Sequence, residues 1–382
     1  MDNIGLLLQN NYGANEPMVI GGQAYVWFQC GGEYVTKKTL KNLIIRIKDA
    51  RRRYLTRIPV IIDLNGITFE DKLAIVLLEC ICYLMITEYK YPVKIVGIEQ
   101  GNIDTEGIES SPLKLLNTEK DNRREYCEKF EREIYGKHYR KLISVSEVKS
   151  GKISLVMQDI QTFLKHLSVE REYREKISEV IVELVGNAGE HGNSSCLIDI
   201  DVTGGYHKKN DSSESIYRGL NVVIVSFSKC LFYEKIREKI KSIDESRMGK
   251  RYVRVKKAFD VHKKFFSEKY TEEDFFTIAA YQDSISGRFD SSQAGGKGLT
   301  VLLHSLEERA DAHRCYMISG ERGLVFLKDL LDFDSDMWIG FNEEKSFFDA
   351  PPDQSVLFES DIYIPGTAYN LCFVMKGAGK DE

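Results

Sequence analysis

In the stretch EVIVELVGNAGEHGNSS, residues 179–195, a carboxylate, an amide and an imidazole recur at intervals of four: Glu183, Asn187 and His191. Positions three and four apart are neighbours on a helix, so these three and Glu190 gather on one polar stripe. Ile181, Leu184, Val185 and Ala188 form a separate apolar stripe. Gly186 and Gly189 lie at the margin between the stripes, although glycine within a helix costs about 1 kcal/mol against alanine. The missing side chains let another backbone or a ligand come close. An amphipathic surface helix with incidental glycines is the plain alternative. About a hundred residues later, QAGGKGL (293–299) is a glycine loop running into an apolar helix. Such a loop offers unpaired backbone N–H groups and a helix N-terminus to an anion. An ordinary tight turn has the same look.

The elements that must position these residues fall into two groups. A chain of 382 residues is comfortable for two domains. AYVWFQCG (24–31), IPVIIDLNG (58–66) and YPVKIVGIE (91–99) read as strands, and 37–53 and 70–88 as helices. That alternation argues for a small α/β domain over 1–105. Residues 106–150 are densely charged and read as a connector with a solvated helix near 119–135. A second unit spans 151–378. Helices are expected at 154–167 and 169–191, and strands at 196–205 and 220–228. Residues 229–294 are long, charged and mostly helical in pattern, and 295–310 is the glycine loop with its helix. RCYMISG and GLVFL suggest a hairpin, and DIYIPGTAYNLCFVM (361–375) a strand pair or a bent strand.

Composition excludes several classes. A net charge of −5 implies neither a nucleic-acid protein nor an acidic tail. The first twenty residues lack a basic segment and a long apolar core, so no signal peptide is expected. The longest apolar run, LAIVLLECICYLMI (73–86), is interrupted by Glu79 and too short to span a bilayer. The eight cysteines are scattered without a CxxC pair, which favours reduced thiols in a cytosolic compartment over zinc.

Taken in order, ELVGNAGEHG, GGKGLTVLL, ISGERGLVFL and PGTAYNLCF resemble the histidine-kinase-like ATPase superfamily (GHKL type) over roughly 151–376. The E-x-x-x-N-A-x-x-H-G form looks most like its anti-sigma-factor serine kinases. The resemblance implies a two-layer α/β sandwich that binds ATP and Mg²⁺. Asn187 would hold the Mg²⁺, which needs few protein oxygens beside water and phosphates. Glu183 would orient or deprotonate the attacking water or hydroxyl. His191 would lie near the pocket mouth. Gly295, Gly296, Lys297 and Gly298 would cradle phosphates, with residues 229–294 as a lid. The glycines of the first helix would then clear the lid or the glycine loop. Thr367 would lie beside the adenine. One position departs from the family pattern. VIVSFSKC stands where the strand before the lid normally ends in D-x-G-x-G, putting Ser226 at the Asp and Ser228 and Cys230 at the glycines. A neutral hydroxyl is a weaker acceptor than a carboxylate, by roughly 1 kcal/mol or more.

PVIIDLNGITFEDKLAIVLLECI resembles the STAS domain of anti-sigma-factor antagonists over about 20–100. In antagonists a phosphorylatable Ser follows an Asp after this strand. Here the pair is Asp71-Lys72, and lysine cannot stably accept the phosphoryl group, so the domain reads as a docking or regulatory module.

The expected protein is an intracellular, cytoplasmic ATP-binding regulator: a STAS-like domain joined to a histidine-kinase-like ATPase domain with hydrolytic or serine-kinase-like activity. A catalytically weak, nucleotide-gated interaction module is the alternative. Its partners would be a nucleotide and a protein held through the first domain or the lid, with no membrane. A homodimer stays open. The basic segment 241–264 reads first as a solvated face and second as a phosphate-facing or nucleic-acid-facing surface.

Overall fold

The computed structural model describes residues 3, 7, 18–20, 23–53, 58–65, 67–98, 110–117, 122–190, 192–206, 217–242, 249–285, 298–309 and 315–376. The first part runs β1 (Met18–Ile20), β2 (Gln23–Gln29), β3 (Tyr34–Val35), α1 (Lys37–Arg53), β4 (Val60–Asp63), β5 (Thr68–Phe69), α2 (Lys72–Thr87) and β6 (Val93–Val96). Strands β2, β4 and β6 pair in parallel, with β1 antiparallel on the β2 edge. Parallel neighbours need a crossover between them, and α1 and α2 supply it.

The segment read as a charged connector contributes regular structure to the second part. It holds α3 (Arg123–Glu131), β7 (Arg132–Tyr135), β8 (His138–Ile143) and α4 (Val145–Lys149). The helix expected to be solvated near 119–135 is shorter and anchored. Tyr126 and Phe130, four apart, are fully buried, and Phe130 stacks on Tyr83 of α2 at 4.2 Å. The charged residues that dominate this stretch hid that pair.

Next come α5 (Ile153–His166), α6 (Arg171–Glu190), β9 (Cys196–Tyr206), β10 (Tyr217–Phe227), α7 (Glu234–Ser242), α8 (Lys250–His262), α9 (Glu272–Ala280), α10 (Gly298–Arg309), β11 (Tyr316–Val325) and β12 (Leu357–Lys376). Six strands form one antiparallel sheet in the order β11-β12-β10-β9-β8-β7. The hairpin expected of 314–320 and 323–327 is instead one strand, Tyr316–Val325. Its register against β12 shifts around Gly320, which has a φ of +65°, so the chain bulges there without turning back. The last segment is likewise a single strand, Leu357–Lys376.

Strand alternation sends side chains to both faces of this sheet. Cys196, Ile198, Ile200 and Val202 of β9 join one core with residues of α5, α6 and α10. Leu197, with Val223, Val225 and Phe227 of β10, joins a second core with α1 and α2. The sheet is therefore covered on both faces, by α5, α6 and α10 on one side and by α1 and α2 of the first part on the other. The cause is α2. Every residue from Lys72 to Met85 is buried, and the helix touches both β6 and the large sheet through β10 and β12. A helix that is apolar all round must be buried all round.

Candidate functional site

The helix α6 carries Glu183 and Asn187 one turn apart, both half-buried. His191, Gly295, Gly296 and Lys297 lie outside the described residues. Gly298 is the first residue of α10, and α10 packs against α6. One of the two glycines of α6 is explained by a neighbouring helix. A side chain at Gly189 would meet Val148 of α4 at 2.4 Å, and one at Gly186 would come to 3.6 Å from Ile153 of α5. Gly189 thus makes room for α4 rather than for a lid.

Where α6 ends, three segments converge. Ser194 is fully buried, and its hydroxyl reaches Ser226 Oγ at 3.4 Å. Ser228 Oγ donates to the Gly192 carbonyl at 2.8 Å and accepts from Cys230 N at 3.0 Å. Ser228, at a position where the resemblance expects glycine, therefore ties the end of β10 to the end of α6. Ser226 stands directly opposite Thr367 of β12 in register. Directly opposed residues point to the same face, so Ser226 and Thr367 share one side of the sheet with the end of α6. Thr367 is half-buried, whereas Ser226 is 4% exposed.

Gly366 makes this approach feasible. Its φ is +95°, and a Cβ there would fall 2.2 Å from the Ser226 carbonyl oxygen and 2.6 Å from Ser228 N. Only glycine fits both the conformation and the gap. Ser319 Oγ donates to the Gly366 carbonyl at 2.6 Å and accepts from Phe232 N at 2.9 Å, linking the bulged β11 to the start of the 229–294 segment.

That segment holds α7, α8 and α9 around an aromatic core that includes Phe259, Phe275 and Phe276. Part of its basic face is engaged internally. Arg251 and Arg254 lie over Trp338 at 4.0 and 4.9 Å, and Arg251 donates to the carbonyls of Asp336 and Met337. Lys250, Lys257, Lys263 and Lys264 remain exposed. The described residues contain no group of three or more His, Cys, Asp or Glu placed to hold a metal ion.

A second polar constellation occupies the opposite face of the sheet. Lys72 at the start of α2 pairs with Asp199 Oδ1 at 2.5 Å and with Asp201, both on β9. Arg140 of β8 pairs with Asp199 and with Glu79 of α2. His138 Nε2 lies 3.0 Å from Asp199 Oδ2, and its Nδ1 is 3.5 Å from Glu133. Asn221 donates to Asp201 at 2.9 Å, and Ser111 donates to Glu79. Glu79, Asp199 and Arg140 are at most 1% exposed.

Burial alone pushes a carboxylate up, but Arg140, Lys72 and His138 hold Asp199 well below the usual range. For Glu79 burial wins, and its carboxyl is raised despite Arg140. Burial also opposes the charge on His138, yet Asp199 and Glu133 raise its imidazole above the ordinary value.

The sequence carried two signals for this cluster. One is the acidic alternation in CLIDIDV, which gives the strand one apolar and one acidic face. The other is Glu79 inside an apolar run. Lys72, which the STAS resemblance marks only as a position unable to hold a phosphoryl group, is the centre of the contact.

All eight cysteines are free, with only Cys230 exposed. No helix among the described residues is long and apolar enough to cross a membrane. The chain matches no protein-family model, no curated protein and no solved structure.

Proposed function

We propose that this protein binds ATP with Mg²⁺ on the helical face of its six-stranded sheet. It would hydrolyse the nucleotide, or pass its terminal phosphoryl group to a protein hydroxyl, as an intracellular regulator. The observation that carries this reading is the convergence of the α6 end with Ser226 and Thr367 on one face of the sheet. Glu183 and Asn187 stand half-buried on that helix, and α10 packs beside it. In this reading Thr367 and Ser226 meet the adenine edge, and Gly295, Gly296, Lys297 and Gly298 meet the phosphates. Asn187 holds Mg²⁺, with phosphates and water supplying the other oxygens. Glu183 is the base, and His191 lies at the mouth.

The neutral Ser226 favours a second reading, in which the fold holds nucleotide weakly and serves as a protein-interaction module. Titrating ATP, GTP and ADP with Mg²⁺ into the wild type and Asn187→Ala separates the two. Asn187→Ala is expected to weaken Mg·ATP binding roughly ten-fold or more, where each 1.4 kcal/mol is ten-fold. Glu183→Ala should keep the affinity and lower turnover by about 10²–10⁴-fold. Absence of binding in the wild type would sink the ATP reading. Binding with no turnover would leave the interaction module.

A further inference from the structure

We propose that the first domain is a built-in effector of the candidate nucleotide pocket, coupled to it through an ionic latch centred on Lys72. This rests on the nucleotide reading of the opposite face. The first turn of α2 grips three strands of the large sheet. Lys72 reaches Asp199 and Asp201 on β9. The Leu73 N–H donates to Asn370 Oδ1 on β12 at 3.2 Å. Asp71, which also caps α2 by accepting from Ala74 N at 2.9 Å, accepts from the Tyr316 hydroxyl on β11 at 2.5 Å. Asn370 is three residues beyond Thr367 on the same strand, and Asn221, bonded to Asp201, lies on the strand of Ser226. The grip therefore holds β12, which carries Thr367, directly, and reaches β10, which carries Ser226, through the Asn221–Asp201 bond.

Adhesion does not require this latch. The apolar faces of α2 already bury it between two layers, and a buried ion pair is often no better for stability than apolar residues of the same volume. What ions of fixed geometry add is one position of the first turn relative to β9 and β12. A cleft of about 870 Å³ opens at the same turn, lined among others by Lys37, Asp71, Lys72, Tyr316 and Asn370. It leaves the turn room to shift while the apolar body of α2 stays docked. Nucleotide on one face and the α2 turn on the other then bias the same strands, and such coupling is reciprocal.

The test uses the full chain and Lys72→Met, with Asp201→Asn as the milder variant if Lys72→Met fails to fold. Hydrogen exchange of residues 71–74 and 196–201 is followed with and without Mg·ATP, together with the Mg·ATP dissociation constant. Nucleotide should change exchange at residues 71–74 in the wild type, and the variant should lose that response. Its affinity should shift by roughly five-fold or more. Normal nucleotide affinity and an unchanged exchange response in the variant overturn the latch while sparing the nucleotide reading. A wild type that binds no nucleotide overturns both.

Discussion

On the helical face of the six-stranded sheet, the buried polar groups where β10 meets α6 are hydroxyls: Ser194, Ser226 and Ser228. On the opposite face they are ions: Lys72, Glu79, Arg140, Asp199 and Asp201, with His138 at the side. A neutral hydroxyl loses far less hydration on burial than an ion does and can exchange one partner for another. A buried ion must keep its counterion, because its solvation is lost altogether. The ionic face can therefore move only between arrangements that keep its ions paired. The hydroxyl face can accept a ligand edge in place of a weak internal contact such as the 3.4 Å one between Ser194 and Ser226. One sheet carries a face whose polar groups must keep their partners and one whose polar groups can exchange them, and the site proposed for nucleotide is on the second.

Removing one partner on each face should break this comparison most sharply. Arg140→Met leaves Glu79 and Asp199 buried without their guanidinium and is expected to destabilise the fold by roughly 3–5 kcal/mol. Ser226→Ala should lose about 1 kcal/mol or less. Denaturant midpoints compare the two directly. The double variant Glu79→Met/Arg140→Met should recover part of the loss, since two apolar side chains replace two ions. Similar losses for Arg140→Met and Ser226→Ala would remove the contrast between the faces.

A smaller effect is expected where the hydroxyl face depends on backbone rather than on side chains. Gly366→Ala puts a methyl group 2.2 Å from the Ser226 carbonyl at a φ of +95°, so β12 must back away from β10. A strained residue of this kind costs about 1–3 kcal/mol. Stability should fall by that amount, and under the nucleotide reading Mg·ATP affinity should fall with it. Gly186→Ala on α6 is the control. Its nearest contact is an ordinary 3.6 Å, so the helix should gain slightly through propensity. If Gly366→Ala is as stable as the wild type, the close approach at Ser226 is not a constraint on the fold.

Much of the framework was legible because it rests on periodicity. The stretches read as helices at 37–53, 70–88 and 154–167 return as α1, α2 and α5, each within two residues at either end. The two strands flanking the polar loop return as β9 and β10. What stayed hidden depends on which surfaces meet. Asp199 and Asp201 alternate with isoleucines as an exposed strand would, and nothing local says that Lys72, more than a hundred residues earlier, covers them. The all-round apolar character of α2 was the one local hint that the helix needed a second layer. Gly189 matters for its missing side chain, as its place between the stripes suggests, but its neighbour is Val148, which contact geometry alone identifies. At the candidate site, Ser226 and Thr367 could be aligned from motifs, whereas the bridging part of Ser228 needed the turn between β10 and α7.

The smallest expected effect concerns pH, and it probes the margin of the ionic face. His138 is packed by Glu133 of β7, Asp199 of β9 and Arg140 of its own strand. Burial and Arg140 disfavour its charge, but Asp199 and Glu133 outweigh them, so the folded protein holds the imidazole proton more tightly than the unfolded chain does. The resulting stabilisation is complete below the unfolded value near 6.5 and drains away as pH rises through the folded one. Denaturant midpoints should therefore decline from pH 6 towards pH 9. In His138→Gln the neutral amide can still donate to Asp199, so the variant should start lower at pH 6 and lose that slope. Asp199, held well below the usual carboxylate range, contributes in the opposite sense: its stabilisation is present above about pH 4 and disappears only in stronger acid. Glu79, whose carboxyl burial raises, also loses stabilisation as pH rises, so the part of the slope that His138→Gln removes is the imidazole's share, while the acid limb belongs to Asp199. A His138→Gln protein that kept the full alkaline slope would move the titrating group elsewhere and leave His138 as a neutral filler beside the ions.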